Sequence, residues 1–179
     1  MARSPYFEAK INRWCDEKRE LVIDDCDLDT FEIIVGYMYG LAIPGYLVPA
    51  PNNHPETGIS PQLAQLIEKE LNTAANKKVE RLSKLLKMSD KLQMIDLKKE
   101  TEELLIKSLD CCTLPISHFV TLAENFDCEE LLLVCAKKTT SSSSLYLTSF
   151  CAKLIKDKPK FAASLLVAFR EQGPPSFTS

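Results

Sequence analysis

Apolar positions along this chain recur mostly at helical intervals. Ser4-Pro5 opens the first such run, with a hydroxyl suited to capping and a proline whose missing N–H costs nothing in a first helical turn. Phe7, Ile11 and Trp14 follow at intervals of four and three, which puts them on one face. A charged stretch over 16–20 separates this run from Leu21-Val22-Ile23, a short β-rich segment that predicts a strand. Asp27 or Asp29 is placed to cap a second helix with Phe31, Ile34, Val35 and Met38 on its apolar face, and Gly40 is placed to end it.

The pattern then lapses. Residues 45–60 hold Pro49, Pro51, Pro55, Asn52, Asn53 and Gly58, which read as an irregular loop or insertion. Ser60-Pro61 repeats the helix-start signal, with Leu63, Leu66, Ile67 and Leu71 along one side. From Asn72 to Gln172 the chain has no glycine, and only Pro115 and Pro159 interrupt it, so a series of helices is expected. The units read from spacing are 79–89, 97–109, 116–125, 129–139, 145–155 and 160–171, with a break at the serine run 141–144 and a loose tail over 173–179. Their expected core faces are Leu82/Leu85/Leu86, Leu104/Leu105, Phe119/Val120 and Leu165/Leu166/Phe169. The fold class expected is mostly α, strictly α+β with a minimal sheet.

Composition narrows the function classes. With 45% hydrophobic and 26% charged residues, the 179-residue chain suits a soluble globular protein. A net charge of −3 argues against a dedicated nucleic-acid surface, and the Lys77/Lys78 and Lys98/Lys99 pairs sit beside Glu80, Glu100, Glu102 and Glu103. No apolar run approaches the roughly 20 residues that span a bilayer, and the first residues lack a signal-peptide stretch. The seven cysteines are scattered without a Cys-x-x-Cys pair, and the two histidines lie far from them, so no metal site is expected and reduced thiols are. An intracellular location, cytoplasmic or nuclear, follows.

Catalytic chemistry finds no support. His54 lies in the proline-rich loop and His118 one turn after Pro115, neither with a nucleophile or carboxylate placed beside it. Glu102 and Glu103 are adjacent on a helix and point apart. The five glycines do not form a phosphate loop. No catalytic residue and no cofactor are expected, and the chain reads as a non-enzyme.

Ser4-Pro5-Tyr6-Phe7 through Leu21-Val22-Ile23 to Phe31, and then Tyr37-Met38-Tyr39-Gly40, resembles the middle of a BTB/POZ domain. Leu85-Leu86-Lys87-Met88-Ser89-Asp90, Leu92-Gln93-Met94 and Asp96-Leu97-Lys98 are similar to that family's paired closing helices. Leu122-Ala123-Glu124-Asn125-Phe126-Asp127-Cys128 with Leu131 is similar to the first helices of a BACK extension. The resemblance covers about 4–44 and 79–138 in collinear order. It implies a partial BTB/POZ-like region over 1–110, with an insertion at about 45–78, and a BACK-like helical region over 111–172. The family's opening helix and strand hairpin precede the point where this chain starts, so a shortened domain is expected.

What the resemblance implies for function is scaffolding. Such proteins act as protein–protein interaction adaptors, some as substrate adaptors of cullin-based ubiquitin ligases, and they pair with other BTB domains. In cullin-binding members a hydrophobic residue followed two places later by an acid follows the Ser-Pro helix, and Trp14-Cys15-Asp16 or Cys15-Asp16-Glu17 resembles that pattern. Tyr39 matches a family position near the cullin surface. Trp14, Cys15, Asp16, Glu17 and Tyr39 are therefore the candidate partner-binding residues. For Trp14 an alternative stands beside this, since it also completes the Phe7/Ile11 face as core. The alternative function is a non-catalytic oligomerisation or decoy fragment that pairs with full-length BTB proteins.

Overall fold

The computed structural model describes residues 4–12, 23, 25–44, 61–141 and 156–172. Among the described residues there are seven helices and no strand: α1 (Pro5–Asn12), α2 (Leu28–Met38), α3 (Pro61–Lys91), α4 (Ile95–Ser108), α5 (Ile116–Asn125), α6 (Glu129–Ser141) and α7 (Pro159–Gln172). The mostly helical expectation holds. Leu21 and Val22 of the expected strand lie outside the described residues, as do 145–155. None of the described helices is long and apolar enough to cross a membrane. The chain divides into two compact units, 1–113 and 114–179.

Unit 1 is built on α3. The helix expected from Ser60-Pro61 begins at Pro61 and runs unbroken to Lys91, so it is one helix with the unit expected at 79–89. Nothing in 72–78 breaks it, since that stretch holds neither glycine nor proline. Among the residues of α3 whose side chains are described, 69–91, Val79, Leu82, Leu85, Leu86 and Met88 are buried, at steps of three and four with their flanking positions, and Leu92 just past the helix end is buried too. Leu85, Met88 and Leu92 share one core with Phe7 of α1, Ile34 of α2, Ile43, Met94 and Leu97 of α4. The buried hydroxyl of Ser4 ties α1 to this core by donating to the Leu92 carbonyl at 2.6 Å, while the Phe7 N–H donates to Ser4 Oγ at 3.5 Å. The capping role was readable in Ser4-Pro5; the bond to a residue 88 positions away was not.

In unit 2, α6 packs against α5 and α7. The buried side chains are Phe119, Val120 and Ala123 of α5, Leu131, Leu132, Cys135 and Ala136 of α6, and Phe161, Leu165 and Ala168 of α7. Leu166 is not among them: it is 72% exposed. Neighbouring positions on a helix lie about 100° apart, so α7 turns Phe161, Leu165 and Ala168 inward at i, i+4 and i+7 and leaves Leu166 and Val167 outside. The side chain of Phe169 lies outside the described residues. The N-terminus of α7 is fixed by Glu124, whose Oε1 accepts from the Phe161 N–H at 2.8 Å, and by an ion pair between Lys160 and Asp127.

Three helices end on the same device, a left-handed residue after which the next N–H folds back onto the last turn. After α2, Gly40 (φ 87°) donates to Tyr37 O and Leu41 to Gly36 O. After α3, Gln93 (φ 54°) donates to Asp90 O and Met94 to Ser89 O. After α5, Asp127 (φ 52°) sits at the equivalent place and Cys128 donates to Ala123 O. An L-residue in this conformation costs about 1–2 kcal/mol, and glycine does not incur that cost. Gln93→Gly is therefore expected to raise the unfolding free energy of unit 1, and Gly40→Ala to lower it, each by up to about 1 kcal/mol. Shifts of the opposite sign in equilibrium unfolding would contradict this reading of the helix ends.

Candidate functional site

Asp27 fixes the start of α2. Its Oδ1 accepts from the Thr30 N–H at 2.9 Å, and its Oδ2 takes a 2.7 Å bond from Lys84 Nζ of α3. Arg81 reaches Asp29 at 3.6 Å, so α2 is also held to α3 by charge along one edge. The Lys84 ammonium and the two Thr30 bonds hold the Asp27 carboxyl well below the usual carboxylate range. A lowered folded-state value means that the stabilisation belongs to the ionised form. It is complete above the unfolded value near 3.9 and is lost as pH falls from there toward the folded value. Asp27→Asn keeps an oxygen for Thr30 and removes the charge. Its stability deficit against the native chain in urea titrations is expected at pH 7 and to shrink below about pH 4. A deficit unchanged at about pH 2.5 would refute the assignment.

Held this way, α2 presents two apolar faces. Thr30, Ile33, Ile34 and Tyr37 turn toward α3 and the core, and Ile34 is 0% exposed. Leu28, Phe31, Val35, Met38 and Tyr39 follow at i, i+3, i+7, i+10 and i+11 on the adjoining face, where Met38 still packs against the core while Leu28, Phe31 and Tyr39 are exposed. The expected face of Phe31, Ile34, Val35 and Met38 is thus continuous, with Ile34 covered by the core and Phe31 at its exposed border. An α-helix apolar over most of its circumference cannot be covered by one neighbour. That width was visible in the sequence, and it is the signal that separates the second face from ordinary core.

The second face floors a cleft of about 740 Å³, closed from across by Phe7 of α1, Ile23 and Cys26. Its lining is largely apolar and it opens to solvent. Tyr39, at the C-cap of α2, is 85% exposed and Leu28 is 70% exposed. Beyond Tyr39 the exposed side chain of Leu41 continues the apolar strip. The Cys26 thiol is pushed above its ordinary value by burial and then by Asp27, with Lys91 opposing. It is thus a poor nucleophile at neutral pH.

Of the candidate partner-binding residues, Tyr39 lines this cleft. Trp14, Cys15, Asp16 and Glu17 lie outside the described residues, as does His54. His118 stands edge-to-face on Phe119 at 5.9 Å, in the first turn of α5, with its Nε2 buried and unpartnered among the described residues. No group of three His, Cys, Asp or Glu side chains able to hold a metal ion occurs among the described residues. Burial pushes the Cys135 thiol up to about 12, so it packs as a small apolar side chain in α6. What the cleft offers is concave apolar surface with a polar rim, the chemistry of docking. No family model, curated protein or solved structure matches the chain.

Proposed function

We propose that this chain is a protein–protein interaction module, a BTB/POZ-like region followed by BACK-like helices, and that it carries out no covalent step. The observation that supports this best is the second apolar face of α2. Leu28, Phe31, Tyr39 and Leu41 are large, exposed side chains gathered within fourteen residues, beside a cleft that has no catalytic grouping on its lining. Scattered exposed apolar residues need no explanation, whereas a contiguous set over a concavity marks a partner site. An exposed aromatic such as Tyr39, at the edge of an apolar cleft, has the composition of an interface anchor.

The finer reading is an adaptor that contacts a cullin scaffold of a ubiquitin ligase through Trp14, Cys15, Asp16, Glu17 and Tyr39. Its support is the resemblance of those positions to the family's pattern. The mechanism is positional: one surface holds the scaffold and the helices of unit 2 carry whatever else is brought to it. The test is a pull-down with a cullin N-terminal domain, comparing the native chain with Trp14→Ala, Asp16→Lys and Tyr39→Ala. Loss of capture by each variant is expected. Equal capture of all four proteins rejects the site, and no capture of the native chain rejects the cullin.

A further inference from the structure

From the charges around the α1–α2 cleft we infer that its partner is a basic amphipathic helix of another protein, a segment with apolar side chains on one face and Lys or Arg beside them. The inference rests on the cleft being a docking surface and adds the chemistry of what docks.

The shape of the cleft favours a helix. Its floor follows α2 from Leu28 to its C-cap Tyr39, eleven steps along the helix, which at about 1.5 Å each is roughly 16 Å or three turns. A partner helix laid along such a groove inserts side chains at i, i+4 and i+7, the helix-in-groove mode of recognition. The other common mode adds a strand to a sheet edge, and no strand occurs among the described residues.

The rim supplies the sign. Residues 23–44 contain Asp24, Asp25, Asp27, Asp29 and Glu32 and not one Lys, Arg or His. Asp27 and Asp29 are matched by Lys84 and Arg81 along the α3 edge. Asp25 sits in the turn between Ile23 and Cys26, both of which line the cleft. Glu32 lies one turn from Leu28 and two from Tyr39, at the border of the apolar face. Both are exposed, and among the described residues Lys91 is close enough to act on the Cys26 thiol. Set against Lys91, Asp25 and Glu32 leave the mouth of an apolar cleft negative. Such a rim attracts a cationic segment and repels an anionic one, which sets partner choice more than raw affinity.

The test uses the full chain and three fluorescein-labelled helical peptides with leucine at i, i+4 and i+7. Their remaining positions are Lys in one, Glu in the second and Gln in the third. By fluorescence anisotropy the Lys peptide is expected to bind at least about tenfold more tightly than the Glu peptide at about 50 mM salt, with the gap closing near 0.5 M. The double variant Asp25→Lys/Glu32→Lys is expected to erase that preference, and Leu28→Ala/Tyr39→Ala to weaken all three peptides. All four positions are exposed, and circular dichroism confirms that each variant keeps its helices. Equal binding of the Lys and Glu peptides, still sensitive to Leu28→Ala/Tyr39→Ala, overturns the basic partner and leaves the docking surface standing. A preference for Lys that survives Asp25→Lys/Glu32→Lys also overturns it. Absence of binding, or binding indifferent to Leu28→Ala/Tyr39→Ala, overturns the docking surface itself.

Discussion

Ile34→Ala is expected to destabilise unit 1 by about 2–5 kcal/mol, the range for truncating a fully buried aliphatic side chain. Ile34 is the α2 residue with no exposed surface, and it reaches the core that Leu85 and Met88 of α3 share with Leu92, Phe7 and Leu97. The substitution removes apolar contacts and leaves a void that helices pinned at Asp27–Lys84 and Arg81–Asp29 cannot fully close. Phe31 is larger yet turned to the cleft and partly exposed, so Phe31→Ala is expected to cost less than Ile34→Ala despite deleting more atoms. Urea unfolding together with hydrogen exchange on α2 and α3 reads both. The two compact units need not melt together, so the exchange data assign any loss to its unit. An order reversed, with Phe31→Ala the costlier change, would mean that the cleft face of α2 is core.

In unit 2 the largest loss is expected from Phe161→Ala, about 3–5 kcal/mol. Phe161 is fully buried at the start of α7, and its own N–H is the donor that Glu124 accepts, so packing and helix start meet at one residue. Removing the ring loosens the turn whose ends are held by Glu124 and by the Lys160–Asp127 pair. Leu166→Ala, five positions on, is expected to change stability by less than about 0.5 kcal/mol because Leu166 stands in solvent. Protection factors in α6 and α7 distinguish the two variants. Similar losses for both would contradict the orientation of α7.

Much of the helical layout could be read from residue spacing because local signals and packing agree there. Asp27 and Gly40 bracket α2 as a cap and a left-handed stop, and Pro115 and Pro159 stand at the starts of α5 and α7, where their missing N–H groups are harmless. The stops after α3 and α5 were less legible in kind, since Gln93 and Asp127 take the left-handed position without being glycine. Their conformations are imposed by Met94 and Cys128, both buried, which must turn inward immediately afterwards. The continuity of α3 through 72–78 was missed because a helix with exposed Leu71, Thr73 and Lys77 shows no core periodicity to announce it. The division of α2 into two faces is a tertiary fact: periodicity says which residues are apolar, and only the position of α3 says which of them are covered.

For the candidate site the sequence pointed to Tyr39 by resemblance, and the structure places that residue on the cleft. Phe31 belongs to the same resemblance, but its place on the cleft, like that of Leu28, emerges from exposure alone. The rim acids Asp25 and Glu32 look like ordinary solvated carboxylates in the sequence. They gain meaning once an open apolar floor lies between them.

The most direct test of the account is backbone amide chemical-shift mapping of the full chain titrated with the Lys peptide. Perturbations gathered on Phe7, Ile23, Cys26 and the Leu28–Tyr39 face, and leaving α5–α7 unmoved, are what the account predicts. Shifts gathered on α5–α7, or on the α3-facing side of α2 alone, would contradict it.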